Sequence, residues 1–214
     1  MVNPKTRILN ITGPAGQLEV AFDDPLTPAR GVAVIAHPHP LFGGTMDNKV
    51  VQTLVRAAVQ QGWQAVRFNF RGVGGSEGVH DNGIGERGDM QAVVDALAAS
   101  GPLVLCGFSF GSAVASHLVA QAVQAGRSVT SVVLVGTAAS RFEVAVLPTE
   151  LHERTLVVHG EMDETVPLAS VMDWARPQTL PVTVVPGGEH FFHGRLPLLK
   201  QLVARHLASC AVDM

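Results

Sequence analysis

Apolar residues along this chain fall into two rhythms: short unbroken runs, and longer stretches where they recur every three or four positions. The runs are rich in Val and Ile and stop at Gly, Pro, Asn or Asp, as strands do. Two of them, Thr6 to Thr12 and Gln17 to Phe22, are joined by Gly13-Pro14-Ala15-Gly16, a hairpin signal. Gly31 to Ala36 follows as an all-apolar strand. Thr45 is the expected cap of a helix whose stripe is Val50, Val51, Leu54, Val55, Ala58 and Val59. The same alternation then repeats. Strand Ala65 to Phe70 precedes a helix with Met90, Val93, Val94 and Leu97 on one face, and strand Leu103 to Cys106 leads into a helix from Gly111 to Gln124. Strand Ser131 to Val135, an irregular stretch and strand Thr155 to His159 come next. A helix starting near Pro167 and ended by Pro177, strand Val182 to Val185 and a helix from Leu198 to Leu207 complete the chain.

Eight strands, the last six separated by helices or helix-length connections, predict an α/β fold. Its sheet is mostly parallel, with helices on both faces and an antiparallel hairpin at one edge. Nothing repeats at a 20–50-residue period, and residues 1–214 are expected to form a single domain.

Composition narrows the class. The chain is 47% hydrophobic and 15% charged, against about 25% charged in typical soluble proteins, which excludes disorder. Acids outnumber bases 18 to 15, for a net charge of −3, and no run of Lys and Arg suggests nucleic acid. The apolar runs are far shorter than the roughly 18 residues a membrane span needs. Met1 to Arg7 lacks the apolar core of a signal peptide. Of the 2 cysteines, Cys106 lies inside a strand-like run and reads as a buried thiol. A cytoplasmic location is expected.

In an open α/β sheet ligands sit beyond the carboxyl ends of the strands, so the residues that follow each strand carry the chemistry. After Leu103 to Cys106 comes Gly107-Phe108-Ser109-Phe110-Gly111, a G-x-S-x-G between an apolar strand and an apolar helix. A sharp turn between small residues there would lift the Ser109 hydroxyl clear of the backbone and leave the Phe110 N–H at a helix N-terminus, facing a developing oxyanion. Serine needs a base, and the base needs an orienting acid. Asp163 follows the strand ending at His159, with Glu161 and Glu164 as alternatives; His190 follows the strand ending at Val185, with His193 as the alternative. The order Ser109, Asp163, His190 matches one family's serine–acid–histidine order. His37 and His39 invite a metal reading, but no carboxylate or cysteine at ligand spacing joins them. Gly72-Val73-Gly74-Gly75-Ser76-Glu77 evokes a dinucleotide loop, yet Glu77 stands where a third glycine belongs, so the segment reads as a tight structural loop around Arg71 and Glu77.

On these motifs the chain resembles the α/β-hydrolases over essentially its whole length. More narrowly, His37-Pro-His-Pro-Leu-Phe-Gly-Gly-Thr-Met-Asp-Asn-Lys49 and Phe68-Asn-Phe-Arg-Gly-Val-Gly-Gly-Ser-Glu-Gly78 resemble small bacterial serine hydrolases described as lidless. Dienelactone hydrolases are more distant and use cysteine where Ser109 stands. The resemblance implies Asp163 as the acid, through the pattern His159-Gly-x-x-Asp163, and His39 N–H as the second oxyanion donor, with Leu41 as second choice. It implies no cofactor and no metal.

Leu41, Phe42 and His193 are expected to line the substrate site. Lids in this fold commonly enter after the sixth strand, and the interval from Gly136 to Arg154 is too short for a cap domain, so an open site is expected. The function implied is a serine hydrolase acting on small ester-like substrates. A non-catalytic ligand- or partner-binding domain, or a thioesterase or peptidase with the same three residues, is the alternative.

Overall fold

The computed structural model describes residues 6–210. Residues 1–5, most of the stretch read for a signal peptide, and residues 211–214 lie outside it. One sheet contains β1 (Arg7–Gly13), β2 (Gly16–Asp23), β3 (Val32–Ala36), β4 (Gln64–Phe68), β5 (Leu103–Phe108), β6 (Ser131–Val135), β7 (Thr155–Gly160) and β8 (Val182–Val185). The order across it is β1-β2-β4-β3-β5-β6-β7-β8, antiparallel at β1/β2 and β2/β4 and parallel from β4 to β8.

The Val-rich runs become the centre of the sheet because they can be buried on both faces. Every residue of β5 and β6 is buried, whereas β1, at the edge, has none buried. Helices α1 (Lys49–Gln60) and α5 (Leu196–Ser209) cover one face, placing Val50, Leu54, Leu199 and Val203 against Val104 and Val133. Helices α2 (Ile84–Leu97), α3 (Phe110–Gln124) and α4 (Leu168–Ala175) cover the other, with Met90, Val93, Leu118 and Val171 in its core. This is the three-layer arrangement the alternation predicts.

Several boundaries differ from expectation, each for a local reason. The cap of α1 is Asn48, whose side chain accepts from Val50 N–H; the Thr45 hydroxyl instead accepts from Asp47 N–H in the turn before it. β4 stops at Phe68 because Phe70 N–H leaves the sheet to donate to His37 Nε2. The helix after Pro167 is only Leu168–Ala175, and a 3-10 turn holds Pro177. The last helix opens at Leu196, with Pro197 in its first turn.

Between β6 and β7 the only regular element is a 3-10 turn, Thr149–Arg154, and no cap domain is inserted. No helix among the described residues is long and apolar enough to cross a membrane. The strand order reverses at β3, which pairs with β4 on one side and β5 on the other. That switch point opens a crevice between the loops following β3 and β5, where the sheet makes room for a ligand.

Candidate active site

Ser109 stands at the end of β5 with φ 56° and ψ −116°, a conformation that costs a non-glycine residue about 1–3 kcal/mol. The surroundings hold it there. Ser109 N–H donates to Val135 O at 2.8 Å, and the buried Ser112 hydroxyl reaches Gly107 O at 2.7 Å and Val135 O at 3.0 Å. The flanking glycines are required by contact: a Cβ on Gly107 would collide with Gly111 O, and one on Gly111 with Ala36 O. The result is a strand–turn–helix elbow that presents the hydroxyl beyond the sheet and starts α3 at Phe110.

His190 arrives on the loop after β8. Its Nε2 lies 3.0 Å from Ser109 Oγ and its Nδ1 2.7 Å from Asp163 Oδ2. Asp163, on the loop after β7, also accepts from the N–H groups of Thr165 and Val166 through Oδ1, at 2.9 and 2.8 Å. Burial alone would raise its carboxyl. The bonds from His190 and Val166, with the nearby imidazoles of His190 and His159, outweigh burial and hold it below the usual carboxylate range. An ionised Asp163 can only accept, so His190 carries its hydrogen on Nδ1 and turns a bare Nε2 towards the serine. All three residues are nearly enclosed, with exposures of 5–7%. Neither alternative acid reaches His190: Glu161 accepts from Gly187 N–H at 2.9 Å, and Glu164 is exposed. His159 is fully buried; its Nε2 sits 2.9 Å from Val166 O and 3.4 Å from Asp163 Oδ2, while its Nδ1 has no partner among the described residues.

On the other wall, the two histidines of the loop after β3 have different tasks. His37 is fully buried, accepts from Phe70 N–H through Nε2 at 3.0 Å and places Nδ1 2.6 Å from Pro38 O. Burial pushes it down to about 4, so it is a neutral tie between two loops. His39 Nδ1 accepts from Leu41 N–H at 3.1 Å and caps the 3-10 turn Pro40–Phe42. Burial first, then the neighbouring His80 and Arg141 against the opposing pull of Glu86, lowers its affinity for protons. The backbone N–H groups of His39 and Phe110 have no protein acceptor among the described residues. Among those residues, no three His, Cys, Asp or Glu side chains gather as metal ligands.

A cleft of about 300 Å³ opens at this point, bordered by His39, Phe42, Ser109, Phe110, Phe142 and His190, among others. Of the three side chains expected to line the substrate, Phe42 borders this cleft. Leu41 and His193, expected to line the substrate, do not border the cleft. The Leu41 side chain turns to solvent, and His193 is exposed, with Nδ1 3.4 Å from Glu189 Oε2, beside a neighbouring hollow. Sequence reasoning missed Arg141 and Phe142, which no periodicity marks within an irregular stretch, and the amides of Thr165 and Val166. The Asp163-x-Thr165 turn could have pointed to the amides, since an aspartate commonly accepts from the N–H two residues on. The glycine-rich loop is structural. Arg71 binds Asp89 and Gly85 O, and Glu77 accepts from Gln17 N–H; the two do not pair with each other.

A switch-point crevice, an elbow serine and a lidless sheet together describe an α/β hydrolase, and comparison with known proteins agrees. Residues 30–197 match the family described as alpha/beta hydrolase domain, and the chain belongs to that family. It is similar to an α/β serine hydrolase without a lid from Xanthomonas campestris, with 32% identity, TM-score 0.86, and coverage of 100% of this chain and 99% of that one. A serine hydrolase homologue from Coxiella burnetii is 39% identical, with TM-score 0.80 and coverage of 97% and 100%. An uncharacterized protein of Rickettsia prowazekii is 42% identical over 111 residues, which are 50% of this chain and 47% of that one. The match thus spans about half the length of that curated relative.

Proposed function

We propose that this hydrolase cleaves small ester-like substrates through a covalent acyl-enzyme on Ser109. The observation that carries the reading is the relay Ser109 Oγ–His190 Nε2–Asp163 Oδ2, with links of 3.0 and 2.7 Å. His190 Nε2 takes the hydroxyl proton as Oγ attacks the carbonyl carbon. The carbonyl oxygen gains the negative charge and is received by the N–H groups of Phe110, at the positive end of α3, and His39. The new imidazolium, held by Asp163, protonates the leaving alkoxide. Water then repeats the sequence on the acyl-enzyme, releasing the acid and restoring the Ser109 hydroxyl. Each step uses groups of this chain and water. The small-molecule substrate, with no nucleic acid or membrane partner, and the cytoplasmic location belong to the same proposal. The apolar cleft supports the substrate class, and the two free, buried thiols support the location.

Fluorophosphonate labelling with a panel of p-nitrophenyl and thioester substrates tests the reading. Wild-type protein should label at Ser109 and turn over short esters, while Ser109→Ala should fold normally and lose both. Undiminished labelling of Ser109→Ala would refute the nucleophile.

A further inference from the structure

The cleft at Ser109 has a lopsided charge. Its walls are Pro38, His39, Phe42, Phe110, Phe142, Phe191 and other uncharged groups; among the described residues no carboxylate borders it, and the one permanently charged side chain there is Arg141. The backbone of Arg141 is fixed, because Arg141 N–H and Phe142 N–H both donate to Ala138 O, at 3.1 and 3.0 Å. Phe142 is wedged against Phe110 and His39, with ring centroids 4.9 and 5.4 Å apart. The guanidinium itself makes no ion pair or hydrogen bond with any described residue, unlike Arg71 on Asp89 or Arg67 on Asp23. It also borders a second hollow of about 360 Å³ beyond Phe110 and Phe142, whose acid, Glu143, lies 3.8 Å from Arg87 instead.

A rigidly based, unpartnered guanidinium beside an apolar wall suits a planar anion, which it can grip with two parallel hydrogen bonds. One free cation balances a single negative charge. A phosphate dianion would call for a second cation, and Arg87 already has Glu143 beside it. We infer that the substrate is an ester carrying a free carboxylate, and that Arg141 is the specificity-determining residue that receives it. This rests on the reading of Ser109 as nucleophile and deepens it by naming the substrate class.

Two matched pairs of esters place the carboxylate on either side of the scissile bond. Mono-4-nitrophenyl adipate against its methyl-capped diester puts it in the acyl part, and 4-acetoxybenzoate against methyl 4-acetoxybenzoate puts it in the leaving group. In at least one pair wild-type protein should prefer the charged member. The charged-to-neutral ratio of kcat/KM should fall by about tenfold or more in Arg141→Gln, chiefly through KM. Arg141→Lys should recover part of it, and rising salt should erode the wild-type preference. Arg176→Gln, on the exposed surface beside Asp173, should leave the ratio as it is. A ratio in both pairs that stays within about twofold between wild type and Arg141→Gln, while Ser109 still labels with fluorophosphonate, overturns the carboxylate subsite alone. Absence of both labelling and turnover in the wild type overturns the hydrolase reading and this inference with it.

Discussion

At Asp163 burial and hydrogen bonding pull in opposite directions, and the bonds win because two backbone amides and two imidazoles converge on one carboxylate. An asparagine would fit the same space, but its amide would face His190 with a donor or a weaker acceptor and so favour the wrong tautomer. Asp163→Asn and His190→Ala should each lower kcat by about four orders of magnitude with little loss of folding. His193→Ala should do little, since that ring is 68% exposed and neighbours Glu189 and the edge of Phe191, not Ser109 or Asp163. Steady-state kinetics with circular dichroism on the three variants checks the assignment, and a larger loss from His193→Ala than from His190→Ala would reverse it.

At the scale of elements, the end of β6 matters as much as the loops that carry the reacting groups. Gly136 takes φ +54°, and a Cβ there would lie 3.2 Å from Phe108 Cε2 and 3.3 Å from His190 Cε1. Gly136→Ala should therefore cost about 1–2 kcal/mol of stability and push the His190 ring off line. A fall in both Tm and kcat is expected; unchanged kcat would show that the ring has room to yield. Neither that contact nor the turn of β6 can be read from the sequence, where Gly136 is one strand-ending glycine among many. The strands themselves were legible, because Val-rich runs have few alternatives to the middle of a sheet. The placement of Ser109, Asp163 and His190 at strand ends was legible for the same reason. Helix starts were less so: Thr45 and Asn48 are both good caps three residues apart, and only the path of the loop chooses Asn48. Leu41 and His193 were misplaced because the direction of a side chain on an irregular loop depends on what that loop rests against, and the chain's pattern does not encode it.

For the molecule as a whole, five histidines, His37, His39, His117, His159 and His206, are held below their ordinary proton affinity, burial being the leading cause in each. A group lowered in the native state is protonated in the unfolded chain first, so unfolding takes up protons and stability rises with pH across the interval. For His37 that interval runs from about 6.5 down to about 4. Proton uptake at that residue on unfolding removes about 3 kcal/mol of stability as pH falls from neutral through the window. Asp163 adds a loss only at more acid pH, below its ordinary 3.8. Urea unfolding between pH 7.5 and 4.5 should show a steep decline in ΔG, and a flat profile would mean the native state accepts those protons without penalty. The wall that bears Arg141 and Phe142 has another consequence at this scale. It belongs to the 136–154 excursion between β6 and β7, whereas Ser109, Asp163 and His190 leave the ends of β5, β7 and β8. The charged wall residue proposed to select the substrate and the three residues proposed to attack it are thus written in separate stretches of chain. A descendant could trade that one charge by rewriting a short excursion while Ser109, Asp163 and His190 stay where they are.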